Sequence, residues 1–476
     1  MPVGVRPRQL SVRTLLVAMV LTQHDGRPAH LTRVRAVLLG LSEEVKVRLG
    51  VVTEWRSGRH ELTYRQVEYT ASVLSDLLKK PHPDGSPSGL FQEVIDALIE
   101  ASIPTEMKDA SSSYACDWSD LESYSCPPPR RGGPCADMEA SWGHRRGKGP
   151  GQRDELFFGY YFQLATMVAD EGGEAVPDLV RRLLLTSCHL DPPPAFVRVL
   201  QDMVAGGVEM NDVLADAGYA HRSATSWALP LRALGASLVQ DLHPHDRGTQ
   251  GTHEGAICYN GALYCPATPP ALFRLEPPAR QASPSELAVH DELSAELARY
   301  KLGRVARDDA DGFHRVSCPA VLGKLRCPLR EGSLALSYAR PEILAPPAHP
   351  PRCCSQRTIT VPVEVNAKTR QKHDYPSAAH RRSYSRRSAV ERANSTVKDP
   401  ATTDVARGWC RLMGLVPIGL FLVCAFVARN DRILVTFFAR QAENKARLTA
   451  GLPPRQRRRR RRGIDEILLT AHAPPP

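Results

Sequence analysis

Between residues 111 and 242 the chain alternates short apolar runs with turn residues and amphipathic stretches, which leaves few ways to bury its apolar side chains. Ser113-Tyr114-Ala115-Cys116, Leu156 to Val168 and Leu179 to Leu185 each read as strands bounded by turn formers. Pro192-Pro193-Pro194 then opens a helix, because proline fits a first turn, and Val197, Leu200, Met203 and Val204 recur on one face of it. Val213-Leu214-Ala215 follows as a strand, then a helix from Trp227 to Leu234 and a strand from Ala236 to Leu242. Strand, strand, strand, helix, strand, helix, strand predicts an α/β unit in which helices flank one mixed sheet.

The flanking sequence has a different character. Residues 1 to 105 predict a helical N-terminal domain: Leu15, Leu16, Met19 and Val20 fall at helical spacing, as do Val34, Val37, Leu38 and Leu41, and another helix runs from Tyr64 to Lys80. Its basic and apolar faces suit either binding of a DNA end or packing as a bundle. The α/β unit opens over 106–262. Residues 263–362 interrupt it with proline clusters and five cysteines and read as an insertion. Residues 363–440 resume the unit, with nine Lys or Arg between 368 and 398 and an apolar helix from Trp409 onward. Residues 441–476 read as a basic, disordered tail containing the run Arg457 to Arg462.

Composition narrows the partners. A chain of 476 residues that is 42% hydrophobic has material for two or three domains with a sizeable core. Its 62 Lys and Arg against 51 Asp and Glu leave +11, a surplus that favours a polyanion. A membrane is not expected: Val12 to Leu21 lacks a following cleavage site, and Gly414 to Ala428 contains Pro417 and falls short of the roughly 20 residues a span needs. Twelve irregularly spaced cysteines point to thiols in a reducing cytoplasm.

Two aspartates sit where chemistry can use them. Cys116-Asp117-Trp118-Ser119-Asp120 supplies one after a short strand, and Asp216-Ala217-Gly218-Tyr219 supplies another, with Gly218 read as the residue that permits a tight turn. An aspartate in either setting also serves as an ordinary cap or turn residue. Further on, Tyr384, Arg387, Glu391 and Lys398 stand at offsets that, at about 100° per residue, share a sector of roughly 60° on one helix. A polar face that narrow requires a polar partner.

This Tyr-x2-Arg-x3-Glu-x6-Lys pattern resembles the signature of bacterial insertion-sequence DDE transposases, and the likeness covers about residues 111 to 262 and 363 to 435. The resemblance implies an RNase H-like catalytic core. In it Asp117, Asp216 and Glu391 are the catalytic acids and the ligands of two Mg²⁺ ions, with Mn²⁺ as a substitute. Arg387 and Lys398 would contact DNA phosphates or the metal-bound scissile group, and Tyr384 would position the helix or a flanking base. The implied partners are double-stranded DNA, as element ends and as target, and a second copy of the chain when assembled on DNA; the implied location is the nucleoid. Two features depart from the pattern: the insertion is cysteine-rich rather than plainly β-stranded, and Asp120 competes with Asp117, which is preferred because it directly follows the apolar strand. Two alternatives remain open: a nuclease of the same fold without strand transfer, and a non-catalytic DNA-binding derivative.

Weaker groupings complete the survey. The loop from Arg130 to Lys148, with Arg145 and Arg146 beside Trp142, is suited either to gripping phosphates or to solvation. Gln240 to Arg247, containing His243, His245 and Asp246, reads as a polar turn ahead of a metal site. Cys318-x8-Cys327, with Cys265, Cys353 and Cys354, lacks the two-to-four-residue knuckle of zinc sites, which argues against zinc.

Overall fold

The structure is a computed structural model. It describes residues 10–26, 28–51, 53–55, 58–60, 62–80, 89–129, 133–145, 153–279, 281–306, 309, 312–405 and 410–455. Two compact units emerge, 1–430 and 431–476.

The first unit begins with α1 (Val12–His24), α2 (Leu31–Gly40), α3 (Glu43–Arg48), a hairpin of β1 (Thr53–Trp55) and β2 (Gly58–His60), α4 (Tyr64–Lys79), α5 (Leu90–Ala101) and α6 (Thr105–Lys108). Ser11 starts α1 by accepting the Thr14 N–H, and Thr63 and Gln66 form a capping box on α4. Leu15, Met19, Val34, Leu38, Val67 and Leu74 are buried, as their helical spacing required.

The sheet follows: β3 (Ser113–Glu122), β4 (Ser141–Arg145), β5 (Glu155–Val168), β6 (Val180–Ser187), β7 (Asp212–Ala215) and β8 (Ser237–Gln240). Antiparallel β3 and β5 form its centre; β4 and β6 pair in succession along the outer edge of β5, both antiparallel. On the other side β7 and then β8 run parallel to β3, each reached through helices: α7 (Pro192–Ala205) before β7, then α8 (Ala217–Ala220) and α9 (Ala228–Ala233) before β8. The architecture is mixed α/β with one mixed sheet. Two strand assignments change. β3 runs on to Glu122 because Trp118 to Glu122 pair with Gly159 to Gln163, so Asp117 lies inside the strand rather than after it. Residues 141–145, read as part of a basic loop, form a strand, with the Trp142 ring edge-on to Phe158.

The inserted region is β-stranded after all. β9 (Thr249–His253), β10 (Ala256–Tyr259) and β11 (Ala262–Tyr264) make one three-stranded sheet; after α10 (Pro284–Arg299), β12 (Gly303–Arg304), β13 (His314–Ser317) and β14 (Thr358–Val361) make another, with α11 (Arg352–Ser355) just before β14. The first of these sheets crosses the boundary expected at 262/263. Strands of two to five residues are too short for periodicity to declare them.

The chain returns through α12 (Ala378–Tyr384), a 3₁₀ turn (Ser385–Arg387) and α13 (Ser388–Lys398), which packs on β3 and β5. The uniform helix expected over 384–398 is thus broken by a tighter turn. Helix α14 (Leu415–Thr449) starts later than expected; Trp409 lies outside the described residues. Its first turns cover the sheet: Phe426 packs against Phe162, and the Asn430 amide bonds both the N–H and the C=O of Val180, closing the exposed start of β6. No helix among the described residues is long and apolar enough to cross a membrane.

In the second unit α14 continues to Thr449, and Arg455 pairs with Glu443 at 3.0 Å. The tail expected to be disordered from 441 is therefore helical as far as Thr449, while Arg457 to Arg462 lie outside the described residues.

Candidate active site

The sheet brings Asp117 to its centre. Burial pushes the Asp117 carboxyl up to about 7; Arg387 and the Trp118 N–H oppose the rise, while Asp216 and Glu391 add to it. Asp216, at a strand end, and Glu391, on a helix, are thus each within electrostatic reach of Asp117. Asn394, one turn beyond Glu391 on α13, donates its Nδ2 to Asp117 Oδ2 at 3.0 Å.

Asp216 directly follows β7 and caps α8, with Oδ1 accepting from the N–H groups of Gly218 and Tyr219 at 2.9 and 3.3 Å. Both bonds fall on one oxygen. Gly218 serves a purpose other than the expected turn. A Cβ there would lie 2.4 Å from the Trp118 ring, so the glycine lets that ring close over the cap. Trp118, Tyr219 and Trp227 pack in series, with centroid separations of 4.6 and 4.5 Å and rings tilted by 56° and 46°. This aromatic series was not foreseen, although Trp118 and Tyr219 adjoin the two aspartates in sequence.

A cation already sits among the acids. The Arg387 guanidinium is 3.6 Å from Asp117 and 2.5 Å from Glu391, and its carbon is 5.6 Å from the centre of the Tyr384 ring. Tyr384 is largely buried, stacked on His380 with 5.7 Å between ring centres, and burial raises its phenol's pKa. His380 Nε2 is 3.0 Å from the Gln240 carbonyl, which ties α12 to β8. Three of the four signature residues therefore gather, in spite of the 3₁₀ turn.

The fourth, Lys398, contacts a different acid. Its Nζ lies 3.1 Å from Asp120, which also takes the Nη2 of Arg145 at 2.5 Å. Burial works against the Asp120 charge, but Lys398 and Arg145 hold the carboxyl below its usual range. Asp120 is thereby committed to two cations, and Asp117 alone faces Asp216 and Glu391. Arg145 is further occupied by Glu122 at 2.7 Å, and Arg146 lies outside the described residues.

One turn beyond Asp216 lies a second polar group. His221, which ends α8, His243 and Asp246 have ligand atoms within 4.8 Å of one another, and Lys368 Nζ holds Asp246 at 2.6 Å. The sequence suggested the 243–246 half of it; His221 was out of reach of local reasoning.

The central donor set is all oxygen, the type hard divalent cations take, and added positive charge there would offset the burial, and the lesser repulsion from Asp216 and Glu391, that raise the Asp117 carboxyl. Asp117, Asp216 and Glu391 would be the residues to hold such ions; their carboxylate oxygens do not gather within 4.8 Å of one another, a span met among the described residues by His221, His243 and Asp246. Compared with known proteins, the chain matches no family model, no curated protein and no solved structure.

Proposed function

We propose that the chain is a DNA transposase with an RNase H-like catalytic core. The observation that carries this reading is the convergence of Asp117, Asp216 and Glu391 around Arg387. The strand pattern supports it: four antiparallel strands, β3 to β6, followed by β7 and β8 parallel to β3, with a helix bearing Glu391 packed against the central pair. So does the Tyr384, Arg387, Glu391 and Lys398 signature.

Mg²⁺, or Mn²⁺ in its place, would be held by the three acids and would supply Lewis acidity at the scissile phosphate. The chain does the rest. Asn394 and the Trp118 N–H orient Asp117, the cap bonds of α8 fix Asp216, and Arg387 lends positive charge beside the reacting phosphate. Water breaks a P–O3′ bond at an element end; the freed 3′-hydroxyl then attacks a target phosphodiester and expels a target 3′-hydroxyl. Element ends and target DNA are the substrates, held by a dimer assembled on them in the nucleoid.

The test is an assay with DNA duplexes bearing the inverted repeats that flank the coding sequence, a plasmid target and Mg²⁺. End cleavage and joining to the plasmid are expected. Cleavage without joining would favour the nuclease, and binding without either would favour a non-catalytic derivative.

A further inference from the structure

We propose that His221, His243 and Asp246 form a zinc site that fastens helix α8 to the 3₁₀ turn Pro244–Asp246, just past β8. The inference does not rest on the function proposed above.

The sequence favoured a plain polar turn here, because a ligand on another element leaves no local mark. The fold brings that ligand in. His221 ends α8, His243 caps the 3₁₀ turn and Asp246 closes it, and one ligand atom from each lies within 4.8 Å of the other two. His221 Nδ1 and Asp246 Oδ2 are 3.2 Å apart. Two ligand atoms bonded to one tetrahedral zinc at roughly 2.0–2.1 Å stand about 3.3–3.4 Å from each other, so this pair already has the spacing of neighbouring ligands. The His221 and His243 rings lie at 31° with 4.0 Å between their centres. Closing the whole set on one ion asks the wider pairs to approach by at most about 1.5 Å, a shift that side-chain rotation supplies.

The two oxygens of Asp246 have separate tasks. Lys368 Nζ holds Oδ1 at 2.6 Å, while Oδ2 faces His221. An outer bond of this kind fixes the orientation of a ligating carboxylate, although the ammonium charge also opposes a dication and keeps the affinity moderate. Two imidazoles and a carboxylate are a donor set that zinc takes, whereas Mg²⁺ prefers oxygen and keeps its water. The group therefore differs in kind from the three carboxylates nearby. The His221 side chain is 41% exposed, which leaves the fourth position to water. Binding has a cost. The His245 N–H that bonds His243 Nδ1 at 3.3 Å must let go whichever ring nitrogen takes the metal, because ligation through Nε2 puts the proton on Nδ1. What is gained is a second hold on α8: Asp216 caps its start and His221 ends it, so the ion ties the far end of that helix to the chain after β8.

The experiment titrates zinc chloride into the full-length chain with Mg²⁺ saturating. The first equivalent should bind with an affinity that falls at least roughly a hundredfold in His221→Ala and His243→Ala, the upper end of what loss of an outer partner costs, and that is unchanged in Asp117→Asn and in His349→Ala, a change at an exposed histidine. Zinc should raise the melting temperature of the wild-type chain and not that of His221→Ala. Should the variants fail to fold, the wild-type chain still decides. Anomalous diffraction at the zinc edge from soaked crystals should place an ion within about 2.2 Å of ligand atoms of His221, His243 and Asp246, and one equivalent of cobalt in its place should give ligand-field bands without thiolate charge transfer. Zinc affinity unchanged in both histidine variants, thiolate bands with the first equivalent of cobalt, or a zinc peak only at Asp117, Asp216 and Glu391 would each overturn the site.

Discussion

Arg387 stands between two acids, 3.6 Å from Asp117 and 2.5 Å from Glu391, as an internal counter-ion for a cluster that would otherwise repel itself. Burial works against its charge, but Tyr384 and the three acids raise its pKa. Removing it should make the cluster depend more on added cations. In Arg387→Gln the melting temperature without metal should fall, and Mn²⁺ should raise it by more than in the wild-type chain. Equal increments from Mn²⁺ in both proteins would show that Arg387 does not offset the acids.

Asp117 gives a pH dependence with a defined sign. Its folded pKa, about 7, lies above the 3.8 of an unperturbed aspartate, so between these values the folded chain holds a proton that the unfolded chain has released. The stability it contributes is present below about pH 4 and lost as pH rises through about 7. Asp117→Asn has no charge to acquire. In the presence of EDTA its melting temperature should match the wild type near pH 4 and exceed it by roughly 2–4 °C at pH 8. A gap that is constant with pH, or of opposite sign, would contradict the buried-acid account.

Asp120 separates a structural acid from the central ones. Tied to Lys398 and Arg145, it positions two cations and lies outside the cluster of three. In a DNA cleavage assay Asp120→Asn should lose about tenfold, some 1.4 kcal/mol, while Asp117→Asn, Asp216→Asn and Glu391→Gln each abolish turnover. A silent Asp117→Asn beside a dead Asp120→Asn would exchange their assignments.

Stability rests elsewhere on a largely buried group of three charges. Arg181, 1% exposed, and Arg182 both reach Glu100 on α5, at 3.2 and 2.7 Å, joining that helix to β6. Burial disfavours the Glu100 charge, but hydrogen bonds and charge from the two arginines hold its carboxyl below the usual range. Glu100→Gln would strand buried guanidinium charge and should cost about 2–4 kcal/mol in urea unfolding, since Arg182 keeps Asp96 nearby. An unchanged midpoint would contradict this.

The parts of the fold that were legible in sequence were long periodic stretches, together with the short apolar runs at 213–215 and 236–242 that form β7 and β8. β5, at 14 residues, and α4, at 16, carry enough period to declare themselves. β4 is shorter and interrupted by Gly143, where a Cβ would meet Phe157 at 2.7 Å; its pairing to β5 is a tertiary fact. The acids were legible by residue type and by position next to apolar runs. Asn394 was not, because an uncharged amide outside the signature carries no local mark, and Asp120 could be set apart from Asp117 only after Arg145 and Lys398 were seen to meet it.

The central claim is that Asp117, Asp216 and Glu391 form one divalent-metal site, and anomalous diffraction from crystals soaked in Mn²⁺ tests it most directly. The account predicts Mn²⁺ peaks bonded to carboxylate oxygens of Asp117 and Asp216, with Glu391 as a further ligand, and their loss in Asp117→Asn crystals. Mn²⁺ bound only at His221, His243 and Asp246, with Arg387 still bridging Asp117 and Glu391 at saturating metal, would contradict it.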